Sequence, residues 1–109
     1  MQLTSFLQDK QLTIALNGEI DHHSAKNALH NIGDKINQFM PMVCILDFKG
    51  ISFMDSSGIA IVIHTYRRMK ELGGKLKLKN LTQQPWRVLH ASGVDRIVET
   101  ERRIDNDEV

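Results

Sequence analysis

The chain holds a single cysteine, Cys44, so no disulfide can form within it. That excludes a small disulfide-stapled scaffold and fits a reducing compartment. Cys44 lies inside the apolar run VCIL, where a buried, inert thiol is the expected state. No apolar run approaches the ~18–20 residues that a membrane span needs. The opening MQLTSFLQDK lacks the charged start and long apolar stretch of a signal peptide. The expected location is therefore cytoplasmic, with no membrane partner. An excess of charge of one sign is also missing, since the formal net charge is +1. Arg67, Arg68, Lys70, Lys75, Lys77 and Lys79 do crowd around Glu71. Nucleic-acid binding would want stacking aromatics or a reader motif beside them, and neither is present. A solvated face of a helix and a strand accounts for the cluster, and no nucleic-acid partner is expected.

The signatures of catalysis are absent too. His22, His23, Asp55 and Ser56 or Ser57 can be drawn as a hydrolase triad. The Gly-x-Ser-x-Gly elbow is missing, adjacent histidines point apart, and no oxyanion hole is evident. A metal site at Asp21, His22 and His23 has no matching ligand cluster elsewhere. The GGK at 73–75 lacks the rest of a phosphate loop. No catalytic residue, metal or cofactor is expected.

What is present suits one globular domain. At 109 residues the chain can bury roughly 60–70% of its unfolded surface. LTSFL and QLTIALNG read as strands, the second alternating Leu12, Ile14 and Leu16 with Thr13, Ala15 and Asn17 and ending at Gly18. From residue 19 the period changes: Ala25, Ala28, Leu29, Ile32, Ile36 and Phe39 share one helical face. Asp21 or Ser24 can cap this helix, and Pro41 ends it. MVCILDF is nearly all apolar, as in a strand covered on both faces. Ile59, Val62, Ile63, Tyr66, Met69 and Leu72 mark a second helix, closed by Gly73-Gly74. KLKLK alternates, with Leu76 and Leu78 inward. A short helix follows, with Thr82 as cap, Pro85 in its first turn, Trp86 over the sheet and Gly93 after its end. RIVE reads as a last strand. The order β-β-α-β-α-β-α-β predicts an α/β fold: a small open mixed sheet, an antiparallel edge pair, right-handed crossovers and helices mainly on one face. The domain spans 1–99, and 100–109 form a polar tail.

One stretch is not explained by this scheme. In FMDSSG (53–58) three polar residues stand where one cap would do. Gly58 lies in the first helical turn, where glycine costs stability relative to alanine. Its missing side chain would let a partner's backbone or a nucleotide come close. In open α/β sheets, sites form beyond the carboxyl ends of the strands. Here both NGEIDHHS and SFMDSSG set an aspartate before a helix, where unpaired N–H groups and the dipole favour negative charge.

GEIDHHSA (18–25), ISFMDSSGIAIVI (51–63) and GGKLKL (73–78) together resemble the STAS-domain anti-sigma factor antagonists, over most of the chain. The paired histidines narrow the resemblance to the sporulation branch that counters the anti-sigma-F factor, the SpoIIAA type. The resemblance implies a small STAS-like fold and a regulatory binding protein, not an enzyme. Its unphosphorylated form would bind an anti-sigma factor that is itself a serine kinase, and so release the sigma factor. The kinase, carrying ATP or ADP, would phosphorylate Ser56 and switch binding off. A PP2C-type serine phosphatase would reverse this. The partner-binding residues carried over are Asp21, His22, His23, Met54, Asp55, Ser57, Gly58 and Ile59, and the free chain would be a monomer. The polar tail departs from the family, whose members usually end in a further amphipathic helix. The alternatives are a general-stress antagonist, a STAS accessory module of a transport or lipid system, and a small hydrolase.

Overall fold

The computed structural model describes residues 1–103. An antiparallel hairpin, β1 (Gln2–Gln8) and β2 (Gln11–Ile20), turns at Asp9-Lys10. Then come α1 (His22–Phe39), β3 (Val43–Met54), α2 (Ser57–Glu71), β4 (Lys75–Leu81), α3 (Gln83–Ser92), a 3₁₀ turn (Val94–Arg96) and β5 (Glu99–Arg102). The sheet runs β1-β2-β3-β4-β5, parallel from β2 onward. This is the element order the sequence predicts.

All three helices feed one buried cluster with Leu12, Ile14, Leu16, Cys44, Leu46, Phe48, Leu76 and Leu78. In α1 the predicted stripe is the buried one: Ala25, Ala28, Ile32 and Ile36. Leu76 and Leu78 point in, as the lysine alternation requires. Burial pushes the Cys44 thiol up to about 12, so it stays protonated and inert.

Several expectations shift. In β3 the expected cover on both faces holds over Cys44, Ile45 and Leu46, which are buried in succession, and is incomplete at Val43 and Asp47, which are half-buried. β2 continues through Gly18 to Ile20. In α2 the deepest residues are Gly58, Ile61, Val62, Thr65 and Met69, while Ile59, Ile63, Tyr66 and Leu72 are only half-buried. Five apolar residues at 59–63 surround the first turns, so spacing alone cannot choose the inner face. Thr65 is tolerated there because its hydroxyl donates to the Ile61 carbonyl at 2.8 Å. Thr82 occupies the cap position of α3 but donates instead to the Ile51 carbonyl at 3.2 Å. Of the predicted last strand RIVE only Glu99 lies in β5: Arg96 belongs to the 3₁₀ turn, Ile97 and Val98 connect the two, and β5 runs past the expected domain boundary at 99. The remainder of the predicted tail, 104–109, lies outside the described residues.

Two further features complete the fold, the second of which places the site. The end of α2 is fixed by Gly73, at φ +76°, with its N–H on the Lys70 carbonyl and that of Gly74 on Met69. That pair of bonds satisfies carbonyls the helix would leave open. In β3, two register shifts against β2 each insert one extra residue. The β3–β4 ladder stops at Asp47↔Lys79, whereas β2–β3 pairing continues to Ile20↔Met54. The end of β3 therefore has a strand neighbour on one side only.

Candidate functional site

The register Ile20↔Met54 brings both predicted junctions to the same edge of the sheet. Asp21 follows Ile20 and Asp55 follows Met54. The Asp55 N–H donates to the Ile20 carbonyl at 3.0 Å, so the two turns are tied backbone to backbone.

At the first turn Asp21 is the cap of α1. Its carboxylate accepts the Ser24 N–H at 2.8 Å, and the Ser24 hydroxyl accepts the Asp21 N–H at 3.0 Å. This reciprocal box satisfies two otherwise unpaired donors. The Ser24 N–H is the main reason the Asp21 carboxyl lies below its ordinary range; burial opposes it, and the His23 backbone and charge add to the lowering. His22 and His23 are the exposed first residues of α1, with rings 6.0 Å apart and steeply inclined.

The second turn is built differently. Asp55, half-buried, accepts the Ser57 N–H at 2.8 Å on its side chain and the Gly58 N–H at 3.0 Å on its carbonyl. Asp55 is thus the capping side chain. Ser56 already has helical dihedrals (φ −62°, ψ −16°) and makes no capping hydrogen bond. It is exposed, and its hydroxyl has no hydrogen-bond partner among the described residues. Ser57 is half-buried, one position further into the helix. Neither hydroxyl meets a histidine, so the base that a hydrolase nucleophile needs is not in place. Among the described residues, no group of three His, Cys, Asp or Glu side chains could hold a metal ion.

Two predicted contact residues take other roles. Met54 is fully buried in the core and offers no side-chain surface to a partner. Gly58 is buried as well, and a Cβ there would stand 2.6 Å from Met54 Cε and 2.7 Å from its sulfur. The missing side chain makes room for Met54, not for an approaching nucleotide. Ile59 is half-buried and packs against the core. The exposed apolar group beside the turn is Phe53, at 45% exposure, which the sequence reading passed over.

It also missed Gln84, in the first turn of α3. Its side-chain amide donates to the Met54 carbonyl at 2.8 Å, and its carbonyl accepts the Met54 N–H at 2.9 Å. No spacing rule links residues 30 apart. Trp86 is partly buried against the core, as expected, stacked on His90 at 5.0 Å with the Arg102 guanidinium 5.0 Å from its ring centre.

Comparison with known proteins bears on this arrangement. The STAS domain family model matches residues 6–107. The anti-sigma-B factor antagonist of Bacillus subtilis (strain 168) is 33% identical over 92 residues, covering 84% of this chain and 80% of that protein. The anti-sigma F factor antagonist of Paenibacillus polymyxa is 28% identical over 87 residues, covering 80% and 74%. The unphosphorylated form of the anti-sigma factor antagonist SpoIIAA superposes with a TM-score of 0.79 at 26% identity, over 98% of this chain and 91% of that one. The phosphorylated form, from Bacillus, gives 0.71 at the same identity, over 98% and 95%. The chain belongs to the STAS-domain family, and its curated relatives are anti-sigma factor antagonists.

Proposed function

We propose that this protein is an anti-sigma factor antagonist switched by phosphorylation of Ser56. The observation that carries the reading is the free hydroxyl. Asp55 caps the helix, which leaves Ser56 exposed and unbonded at the sheet edge where both junctions meet. The protein is then a substrate and a regulatory binding partner, not a catalyst. Its unmodified form holds an anti-sigma factor serine kinase in the cytoplasm, and the sigma factor is released. The kinase supplies the nucleotide, and a PP2C-type phosphatase restores the hydroxyl. His22, His23, Phe53 and Ser56 form the exposed part of the contact surface.

The physics of switching is local. A phosphoserine carries about −1.5 to −2 charges at pH 7. The start of α2 tolerates that charge, so the fold persists. A docking partner instead meets a dianion next to Asp55 that must be stripped of water. A loss of ~3–4 kcal/mol in binding would lower affinity a few hundredfold or more.

The test is intact mass after incubation with an anti-sigma-F kinase and ATP. One phosphate on the wild type and on Ser57→Ala, with none on Ser56→Ala, is expected. No phosphate on any form with an active cognate kinase overturns the reading. The 33% identity to the anti-sigma-B antagonist supports a second version, a general-stress antagonist. Parallel binding to anti-sigma-F and anti-sigma-B factors separates the two.

A further inference from the structure

Beyond Asp47, the outer edge of β3 has no strand to pair with, although the strand runs on to Met54. A backbone edge left open needs partners for its N–H and C=O groups. The Asp47 carboxylate accepts the Lys49 N–H, and further along side chains at the start of α3 take over: Thr82 takes the Ile51 carbonyl, and Gln84 takes both polar groups of Met54. A neutral carboxamide sets an N–H donor beside its C=O acceptor in one plane, and so can pair with the N–H and C=O of one residue as a strand neighbour does. Gln84 therefore replaces one residue of a missing strand. Glutamate would keep the acceptor and lose the donor. Methionine would keep the length and lose both.

The tie falls at the last residue before the turn. Met54 is gripped by Gln84 on one edge, and the next N–H, that of Asp55, is held by Ile20 on the other. The Asp55 carboxylate then fixes the Ser57 N–H. Ser56 is the first residue past these ties with a free side chain.

We propose that Gln84 is a positioning residue for Ser56: its two hydrogen bonds to Met54 hold the acceptor turn in one conformation before a partner arrives. This rests on Ser56 being the phospho-acceptor. A kinase or binding partner then finds the serine already ordered and does not have to order it on binding. The same contact couples the switch to α3, so a displacement of that helix would reach Ser56 through one side chain.

The experiment compares wild type, Gln84→Met and Gln84→Glu by amide hydrogen exchange and by phosphorylation kinetics with the kinase of the mass assay. Local opening is expected, not global unfolding. In Gln84→Met the Met54 amide should exchange at least about tenfold faster, with the Leu12 and Leu46 amides within about twofold of wild type. Gln84→Glu sets a carboxylate oxygen against the Met54 carbonyl in place of the donor, so its Met54 amide should also exchange faster than in wild type. In Gln84→Met, KM for phosphorylation should rise about tenfold with kcat within about twofold, because the cost of ordering appears on binding. Unchanged Met54 exchange in Gln84→Met overturns the tie, as does equal acceleration of all three amides. A changed exchange rate with an unchanged KM overturns the positioning role. Should the wild type take no phosphate at all, the phospho-acceptor reading fails, and the positioning role with it; the exchange data then decide the tie alone.

Discussion

The two strand-to-helix turns at the site start from nearly the same residues and end in opposite states. In Asp21-His22-His23-Ser24 the aspartate and serine stand three apart, so each can reach the other's backbone, and the cap closes on itself. In Asp55-Ser56-Ser57-Gly58 the third residue on has no side chain. Asp55 caps alone, and the serine beside it has nothing to bind. One turn pairs its aspartate and serine with each other's backbone, whereas the other leaves a serine hydroxyl for something outside. Composition does not separate a structural turn from a modifiable one here. The position of one glycine does.

The contrast also extends below the surface, and the largest effects should appear there. Gly58 and Met54 meet in the core, and a Cβ on Gly58 would force the end of the methionine to shift. Met54→Ala should cost about 2–5 kcal/mol in urea unfolding, the range for truncating a buried side chain. Phe53→Ala, on the neighbouring exposed residue, should stay within about 0.5 kcal/mol. Similar losses from both would mean that Met54 is not the core residue of the pair. Gly58→Val should lose about 1–3 kcal/mol by overpacking, and combining it with Met54→Ala should recover part of that loss. Strict additivity would show that the two sites do not meet.

Smaller effects distinguish the caps. Asp55→Ala should destabilise by about 1 kcal/mol, as loss of an N-cap does. Ser56→Ala should change stability by less than about 0.5 kcal/mol, since that hydroxyl holds nothing in the fold. The comparison breaks if Ser56→Ala is the more damaging of the two, for then the serine is the cap.

Much of this arrangement can be read in the chain. The alternation in KLKLK, the stripe of α1 and the glycine pair after α2 follow from local periodicity and caps, and they place both aspartates at one edge. The burial of Met54 does not follow. Inward residues of β3 are spaced by two at Cys44, Leu46 and Phe48, then by three at Ile51 and Met54, because each bulge adds a residue. A period-two reading loses the face at the point where the site begins. Gln84 was hidden for another reason. Its partner is a backbone edge left open where the β3–β4 pairing stops, a feature of the sheet and not of any sequence window.

The smallest expected effect concerns charge at the closed turn. The Asp21 carboxyl titrates below its ordinary value of 3.8, chiefly because the ionised form accepts the Ser24 N–H. A folded-state value below the unfolded one means that the stabilisation is complete above the unfolded value and fades as pH falls through the folded one. Asp21→Asn isolates this contribution, since asparagine keeps an oxygen for the Ser24 N–H and loses only the charge near the helix start. The wild type should be the more stable form at pH 7. Its advantage should shrink below pH 3.8 and disappear once Asp21 is protonated in both states. Urea midpoints for the two proteins between pH 7 and pH 2 measure it. A gap that stays constant over that range would show that the closed turn depends on the hydrogen bond alone.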